Sequence, residues 1–357
     1  MQTNTPLKIA LVGAGGISNA HLPAYQNFRD KVELVAVCDV NEAAAKAFAG
    51  KVGESVRVYT DYQALLEDTE VEAIDLLTLH CDHAKQAIAA LKAGKHVLIE
   101  KPLAINLPDC EAVIAQARAS DRIAMVAQCQ RYHPSYLAAK EAIESGRLGE
   151  IRAVRFDCMQ NLPMYVKPGH WLYDGDLAGG GVVMSVMIHR IDLMRYLIGE
   201  IRSVRADCRH TSKDFIHGAE DFANVWLEFE NGAVGDGFGA YSLYRTPYSE
   251  NLMIFGTDGT LHAVPPVGEW IGDAYLASRE TEGEGENPFQ GFQPLQPAVD
   301  AFPTDDGFVN EILHFADCCR SGKRPVSDAT DTIESMKVIF AIYQSSRTGE
   351  TVRIADL

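Results

Sequence analysis

Residues 7–18 read LKIALVGAGGIS, an apolar run that ends in a glycine-rich turn. After the run come Gly13, Gly15 and the small residue Ser18, which is the G-x-G-x-x-(small) pattern of a dinucleotide-binding βαβ unit. Gly13 would allow the tight turn out of the strand, and Gly15, which has no Cβ, would let a pyrophosphate approach the backbone. The following helix would offer its N–H groups and the positive end of its dipole to that anion.

A second apolar run, residues 32–38, ends at Asp39. An acidic residue at this point of a βαβ unit binds the ribose hydroxyls of NAD, and its charge repels the 2′-phosphate of NADP. The next two residues, Val40 and Asn41, supply no arginine for such a phosphate. The sequence therefore predicts NAD as the cofactor; the residues expected to bind it here are Gly13, Gly15, Gly16, Ile17 and Asp39. The alternative is an ordinary strand–helix turn without a ligand.

The first third of the chain alternates short apolar runs with helical patterns. Strands are predicted at 7–12, 32–38, 72–78, 96–100 and 123–128, and helices at about 16–28, 41–50, 61–67, 83–94 and 107–120. Alternation of this kind predicts an α/β fold, with a doubly wound parallel sheet and right-handed crossovers. Ligands of such sheets bind outside the carboxyl ends of the strands.

The pattern changes after residue 130, where runs of strands replace the alternation. Strands are predicted at 151–159, 201–210, 221–230, 233–241, 250–256 and 259–263, and helices at 134–145, 182–198, 307–320 and 328–347. Asn231-Gly232 is a strong hairpin signal, and residues 278–307 have the composition of a long surface loop. We predict an NAD-binding Rossmann domain at 1–130 and a mostly antiparallel α+β domain at 131–357, for substrate binding and oligomerisation.

Composition restricts the function classes. The 357 residues suggest two domains, and the net charge of −17 argues against nucleic acid and anionic membranes as partners. No apolar run approaches the ~18 residues of a membrane span, and the N-terminus has no apolar signal core, so a cytoplasmic protein is expected. The spacing of His80, Asp82 and His83 matches no common metal pattern, and no metal is expected.

A lysine follows the fourth of these apolar runs, in the sequence Glu100-Lys101-Pro102. Proline disfavours a helical conformation at Lys101, which keeps this lysine at the carboxyl edge of the sheet, where the nicotinamide is expected. A lysine beside a cofactor can take part in proton transfer. The alternative is a solvated lysine at a strand end.

A polar stripe runs along the otherwise apolar stretch GGGVVMSVMIHRIDLMRYLIG, residues 179–199. Ser185, His189 and Asp192 are spaced i, i+4 and i+7, which predicts one shared helical face. Polar groups on a buried helix need partners or a function. A histidine can take the proton of an alcohol while hydride leaves the same carbon. The alternative is a core histidine whose tautomer is fixed by Asp192.

In combination these stretches resemble the Gfo/Idh/MocA family, named for glucose–fructose oxidoreductase and inositol dehydrogenase. The matching segments are GAGGIS, Asp39, AGKHVLIEKP, GRLGEI, AGGGVVMSVMIHRIDL, FVNEILHFADCCRSGKRPV and TGETVRI, so the resemblance covers essentially the whole chain. It implies a C-terminal domain with a large open sheet that often pairs subunits into dimers or tetramers. It also implies an NAD(P)-dependent oxidoreductase acting on sugars, cyclitols or sugar derivatives, with Lys101 as catalytic lysine and His189 as catalytic acid/base.

Three departures from the family pattern bear on the site. Ser18 replaces the third glycine of the turn, and Thr78-Leu79-His80 replaces a frequent Thr-Pro-Asn run. Ser185 stands where many members have an aspartate four residues before the histidine. The resemblance adds further residues at the cofactor, namely Thr78, His80, His83, Glu100 and Lys101.

The remaining candidates would contact a polyhydroxy substrate. They are Arg131, Trp171, Tyr173, Asp176, Ser185 and Asp192. Trp171 could stack on a sugar ring or could close a core, and Arg131 could hold substrate near the domain crevice or pack structurally.

The sequence thus predicts an NAD(H)-dependent oxidoreductase that moves hydride between a sugar or cyclitol hydroxyl and nicotinamide. Two alternatives stay open. One is a lyase or glycosidase that oxidises a sugar transiently with bound NAD, and the other is a non-catalytic, dinucleotide-responsive regulatory protein.

Overall fold

The computed structural model describes residues 5–246, 248–263, 272–279, 291–297 and 302–357. The chain forms two compact units, of which the first comprises Met1–Tyr132 with Thr304–Ile333 and the second His133–Pro303 with Glu334–Leu357.

The first unit includes Thr304–Ile333, a segment that the predicted boundaries placed in the second domain. This segment belongs to the first unit because its backbone and side chains bond to the end of the Rossmann sheet. Ser327 donates to the carbonyl of Val126 at 2.6 Å, and its hydroxyl lies 2.8 Å from that of Tyr132. The functional division into 1–130 and 131–357 stays a prediction.

The sheet of the first unit has six parallel strands in the order β3-β2-β1-β4-β5-β6. Its strands are β1 (Leu7–Val12), β2 (Val32–Cys38), β3 (Arg57–Tyr59), β4 (Ala73–Leu76), β5 (His96–Glu100) and β6 (Ala124–Ala127). Its helices are α1 (Ser18–Asn27), α2 (Glu42–Val52), α3 (Tyr62–Leu66), α4 (His83–Lys92) and α5 (Leu107–Ser120), joined by α9 (Gly307–Ser321). This is the Rossmann strand order, so the predicted doubly wound sheet is confirmed.

The order of the strands reverses between β1 and β4, where such folds bind their ligands. Capping residues place the helices at this edge. Asn41 starts α2 by accepting from the N–H groups of Ala43 and Ala44, and Asp61 starts α3 by accepting from that of Gln63. Strand β3 was not predicted, because three half-buried residues carry too short a pattern.

The second unit has a nine-stranded sheet in the order β14-β13-β12-β11-β7-β10-β9-β8-β15. Its strands are β7 (Ile151–Met159), β8 (Ile201–Arg209), β9 (Phe222–Phe229), β10 (Val234–Ala240), β11 (Leu252–Gly256), β12 (Gly259–Ala263), β13 (Ala274–Ser278), β14 (Gln293–Pro294) and β15 (Val352–Arg353). Its helices are α6 (Pro134–Glu144), α7 (Gly175–Ala178), α8 (Ile188–Ile198) and most of α10 (Ala329–Thr348), which begins in the first unit.

Among the described residues, the strand pairs of this second sheet are antiparallel except β7 with β10, which is parallel. The predicted mostly antiparallel α+β architecture is therefore confirmed, and so is the hairpin at Asn231-Gly232, which joins β9 to β10. The predicted loop at 278–307 contains β14 and the start of α9, and its residues 280–290 and 298–301 lie outside the described part of the chain.

Helix α8 lies in the core of the second unit, and nine of its residues are buried. The stretch Gly175–Ile198 is long and apolar enough to cross a membrane, yet 89% of its most apolar window is buried inside the protein. A helix that is apolar on all sides is also what a protein core contains. Before α8, Val183–Met187 form a π-helical turn, so the predicted single α-helix at 182–198 is interrupted.

Candidate active site

The glycine turn of the first unit adopts the conformation that its sequence predicts. Gly13 has φ +97°, and a Cβ there would lie 2.5 Å from the carbonyl oxygen of Leu77. Gly15 and Gly16 are exposed at the start of α1, and added Cβ atoms would meet nothing within 4 Å. Ser18, in place of the third glycine, is buried and donates its hydroxyl to the carbonyl of Gly15 at 2.6 Å. The turn therefore leaves open the space that a pyrophosphate needs.

Asp39 links the end of β2 to this turn. One carboxyl oxygen accepts from the N–H of Ala14 at 2.7 Å, and the other accepts from that of Asn41 at 2.8 Å. Both bonds orient the carboxyl group at the partly exposed carboxyl end of the strand. The arrangement fits NAD, since a charged acceptor lies where a ribose would follow the pyrophosphate.

Glu100 and Lys101 stand at the carboxyl end of β5, as expected. Glu100 is buried, and its carboxyl oxygen lies 3.7 Å from Nε2 of His21, whereas Lys101 is partly exposed.

His83 ties the loop after Lys101 to the loop after β4. Its Nδ1 lies 2.7 Å from the carbonyl oxygen of Pro102, and its Nε2 lies 3.2 Å from that of Thr78. The side chain is fully buried, and desolvation lowers its pKa, which favours the neutral ring; a neutral ring has one N–H and donates to one of these two carbonyl oxygens. His80 is also buried, with its ring 5.6 Å from that of His83.

In the second unit the glycine loop before α8 is anchored by Glu220, which the sequence analysis did not single out. The Glu220 carboxyl accepts from the N–H groups of Gly181 and Val183, each at 2.8 Å, and from the hydroxyl of Tyr343 at 3.2 Å. A Cβ on Gly181 would collide with the carbonyl of Glu220. Burial raises the pKa of Glu220 to about 7, against the opposing effect of these hydrogen bonds.

The polar stripe lies in the buried stretch that follows this loop. Ser185 is in the π-helical turn and hydrogen-bonds Tyr241, and His189 is the second residue of α8, 7% exposed. Asp192 is buried and accepts from the hydroxyl of Ser335 at 2.7 Å. The predicted common face at i, i+4 and i+7 assumed an unbroken α-helix; the π-turn changes the rotation between Ser185 and His189.

The loop residues predicted to contact substrate differ in their surroundings. Trp171 is partly exposed and Asp176 is exposed. Tyr173 departs from the expectation, because it is buried, donates its hydroxyl to the carbonyl of Val166 at 2.8 Å and packs 4.7 Å from the ring of Phe215. The buried ring and hydroxyl of Tyr173 thus stabilise the loop through these two contacts.

The sequence left two alternatives for Arg131, substrate binding or structural packing, and its surroundings are those of a residue that packs structurally. It is 3% exposed, donates to the carbonyl of Val326 at 2.9 Å and forms an ion pair of 2.7 Å with Asp331. Its guanidinium thus joins the end of the Rossmann sheet to the segment that follows α9, all within the first unit.

Among the described residues, three side chains are near enough to share a metal ion, namely Asp174, Asp176 and His217. They lie partly or fully exposed, and Nδ1 of His217 already pairs with Asp174 at 2.8 Å, which raises the pKa of the imidazole. This is the arrangement of a surface ion pair, and we assign no metal to it.

Buried supporting residues were the main omission of the sequence analysis. Glu220 bonds to the loop before α8, and His21 bonds to Asp75 in β4. In the sequence, the only indication of either contact is an ionisable residue next to an apolar run. Arg190, two positions before Asp192, is fully buried; it donates to the hydroxyl of Tyr136 at 2.6 Å and pairs with Glu250 at 3.4 Å. These bonds fix α8 in the core.

Comparison with curated proteins finds relatives along nearly the whole chain. The scyllo-inositol 2-dehydrogenase (NAD(+)) of Bacillus subtilis is 26% identical over 354 residues, which covers 98% of this chain and 96% of the relative. The myo-inositol 2-dehydrogenase of Thermotoga maritima is 25% identical over 356 residues, covering 98% of this chain and 99% of the relative.

Among solved structures, levoglucosan dehydrogenase in complex with NADH has a TM-score of 0.87 at 22% identity, covering 98% of this chain and 99% of that one. At this identity the likeness supports the fold.

Two family models match in the order that the resemblance implied. The model described as "Oxidoreductase family, NAD-binding Rossmann fold" matches residues 7–128, and the "GFO/IDH/MocA C-terminal domain" matches residues 136–262. Together they span well over half of the sequence, so the chain belongs to the Gfo/Idh/MocA family of oxidoreductases and carries that family's NAD-binding Rossmann domain.

Proposed function

We propose that this chain is a dehydrogenase that moves hydride between a hydroxyl-bearing carbon of a sugar, cyclitol or sugar derivative and NAD. The observation that carries the proposal is the similarity over 98% of the chain to two proteins named inositol 2-dehydrogenases. The transient-redox lyase or glycosidase and the regulatory protein gain no support from these relatives.

When bound, NAD supplies the hydride acceptor. The glycine turn and Asp39 would hold the dinucleotide, with Gly16 and Ile17 at the exposed start of α1. Lys101 would polarise the substrate oxygen, and His189 would remove its proton, or the two would exchange these roles. Thr78, His80, His83 and Glu100 would shape the cofactor side of the site from the carboxyl ends of β4 and β5.

Substrate contacts are proposed for the loop residues Trp171, which is partly exposed, and Asp176, which is exposed, and for Ser185. An aromatic face and a carboxylate suit a polyhydroxy ring, because its C–H face is apolar and its hydroxyls donate hydrogen bonds. Arg131, Tyr173 and Asp192 would act indirectly through the bonds that hold their own elements.

The test is NAD reduction across inositols, aldoses, glycosides and sugar acids. We expect one of these classes to be oxidised, and Lys101→Ala and His189→Ala to lower kcat by about 10²- to 10⁴-fold, the range for general acid–base groups. NADH fluorescence titration is the control, because His189→Ala should bind NADH like the wild type. A chain that binds NADH but oxidises none of these compounds would contradict the proposed substrate class.

We also propose a cytoplasmic protein that assembles into dimers or tetramers through the open face of its second sheet. Aromatic side chains at the surface support this, since Trp226 is 52% exposed in the middle of β9, and Phe238, partly exposed on β10, lies two positions beyond Asp236, the cross-strand partner of Trp226. The prediction of no nucleic-acid partner rests on the net charge of −17.

A further inference from the structure

His21 lies on α1 of the first unit and is buried between two carboxyl groups. Its Nδ1 is 2.8 Å from a carboxyl oxygen of Asp75 in β4, and its Nε2 is 3.7 Å from one of Glu100 in β5. Tyr25, one turn later on α1, donates its hydroxyl to the same Asp75 oxygen at 2.6 Å. The imidazole ring is 0% exposed, so these contacts form away from water.

The surroundings of His21 favour its charged form. Burial by itself would lower the pKa of His21, but the charge and hydrogen bond of Asp75, together with Glu100, raise it well above 6.5. On the side of α9, the ring of Phe308 packs 5.7 Å from the imidazole. Burial raises the pKa of Glu311, also on α9, well above its usual range, which favours the neutral form of this carboxyl group.

The position of His21 connects two parts of the proposed cofactor site. Helix α1 begins at the glycine turn, whose exposed N–H groups would face the pyrophosphate. Strand β5 ends at Glu100, and the next residue is Lys101. One buried side chain therefore bridges the helix of the dinucleotide turn and the strand end that presents the lysine.

We propose that His21 is a positioning residue, an imidazolium that holds Glu100, and with it Lys101, in place relative to the dinucleotide-binding helix. The inference rests on the proposed function in taking Lys101 as the catalytic lysine. A misplacement of about 1 Å at a reacting group can cost about 10²-fold in rate, so loss of this bridge should be visible in kcat.

Two substitutions separate the two contacts of the ring. The amide of asparagine reaches the position of Nδ1, so His21→Asn keeps a partner for Asp75 and loses the contact with Glu100. The longer glutamine reaches the position of Nε2, so His21→Gln keeps the contact with Glu100, while Tyr25 still bonds Asp75. The matched control is Tyr25→Phe, which removes a buried hydrogen bond from the same Asp75 oxygen.

We expect His21→Asn to lower kcat by about tenfold to 10²-fold. His21→Gln should retain most of the activity, and Tyr25→Phe should lower only the Tm. In a Glu100→Gln background the effect of His21→Asn on kcat should largely disappear, because the group it acts through has changed. Equal losses of kcat in the Asn and Gln variants that follow their Tm values would overturn the inference.

An NADH titration tests the same bridge without substrate. In the wild type, NADH affinity should weaken as pH rises through the raised pKa of His21, since deprotonation removes the positive charge that this buried ring adds below the site of an anionic ligand. This alkaline limb should be missing from His21→Asn and His21→Gln, and its persistence in both would contradict the proposal. If the wild type binds NADH but oxidises no polyol, the proposed substrate class fails while this titration still decides the role of His21.

If neither variant folds, ¹⁵N NMR of the histidine-labelled wild type gives the answer. The imidazole of His21, distinguished from that of His217 by a His217→Asn variant, should remain protonated at a pH where ordinary histidines are neutral. The absence of an imidazolium signal at that pH would overturn the inference.

Discussion

The carboxyl group of Asp39 joins the end of β2 to the glycine turn through two backbone N–H groups, those of Ala14 and Asn41. An asparagine has one acceptor oxygen, so Asp39→Asn must lose one of these bonds along with its charge. We expect NADH affinity to fall by about tenfold to 10²-fold, which corresponds to the ~1.5–3 kcal/mol of a hydrogen bond to a charged group. The preference for NADH over NADPH should also narrow, which parallel fluorescence titrations with the two nucleotides would measure.

The matched control for this charge change is Asp109→Asn, which removes a carboxylate in the first turn of α5. It should leave both nucleotide affinities unchanged. An unaltered NADH-to-NADPH ratio in Asp39→Asn would show that this carboxylate does not select the cofactor.

Gly13 and Gly15 of the turn are required for different reasons, and an alanine substitution at each position distinguishes the two reasons. Gly15→Ala should leave the Tm unchanged, because its methyl group would meet nothing within 4 Å, but should weaken NADH binding at least about tenfold by occupying the pyrophosphate's approach. Gly13→Ala should instead lower stability by about 1–3 kcal/mol, because φ is +97° and the Leu77 carbonyl is close.

Thermal unfolding and NADH titration on the same samples measure both effects. Gly50→Ala, on α2 and equally open around its Cβ, is the control that should change neither NADH affinity nor fold. Wild-type NADH affinity in Gly15→Ala would mean that the dinucleotide does not approach the backbone there.

The loop that leads into α8 depends on one buried carboxyl group, that of Glu220. Its pKa is raised from 4.5 to about 7 by burial, so the folded protein holds a proton there that the unfolded chain releases near pH 4.5. Its contribution to stability is therefore fully present below pH 4.5 and is lost as pH rises through about 7. The loss amounts to about 3 kcal/mol, at ~1.4 kcal/mol for each pH unit between the two pKa values.

Denaturant unfolding at pH 5 and pH 8 measures this difference, and Glu220→Gln should remove it from the profile. Glu228→Gln, half-exposed on β9, is the control and should keep the wild-type slope. Wild-type pH dependence in Glu220→Gln would place the titrating group elsewhere.

Most elements of both sheets follow from patterns that a short stretch of sequence contains. β1 and β2 are strands of six and seven residues that are apolar except for Lys8 and Glu33, with a turn signal at the end, and the hydrophobic pattern identifies such runs. The π-turn before α8 could not be predicted in this way. It depends on packing around Val183–Met187, where a Cβ on Gly239 of β10 would meet Met187.

The same distinction between local patterns and long-range contacts applies to the residues of the candidate site. Gly13, Gly15, Asp39 and Lys101 could be found because each stands at a fixed distance from an apolar run. The partners of His21 and Glu220 could not, since Asp75 lies 54 positions from the first and Tyr343 lies 123 positions from the second. Spacing along a helix or strand gives no information about contacts of that separation.

The second sheet leaves one face with aromatic side chains at the surface, although the chain carries a net charge of −17. On this face Phe222 packs edge-on against Phe238 at 5.1 Å, and a depression of about 740 Å³ opens beside Trp226. Apolar area of this kind favours association, while like charges on two copies oppose it. Association through this face should therefore tighten with added salt, which screens the repulsion.

Trp226→Glu is the substitution that tests this assembly, because it replaces the exposed aromatic side chain beside this depression with a carboxylate. We expect sedimentation velocity to show a dimer or tetramer for the wild type and a monomer for this variant at micromolar concentration. Tyr244→Glu, at an aromatic residue 85% exposed in the segment after β10, is the matched control and should keep the wild-type assembly. Both variants should bind NADH normally, since the dinucleotide site is built in the first unit, and a monomeric wild type would contradict the proposed interface.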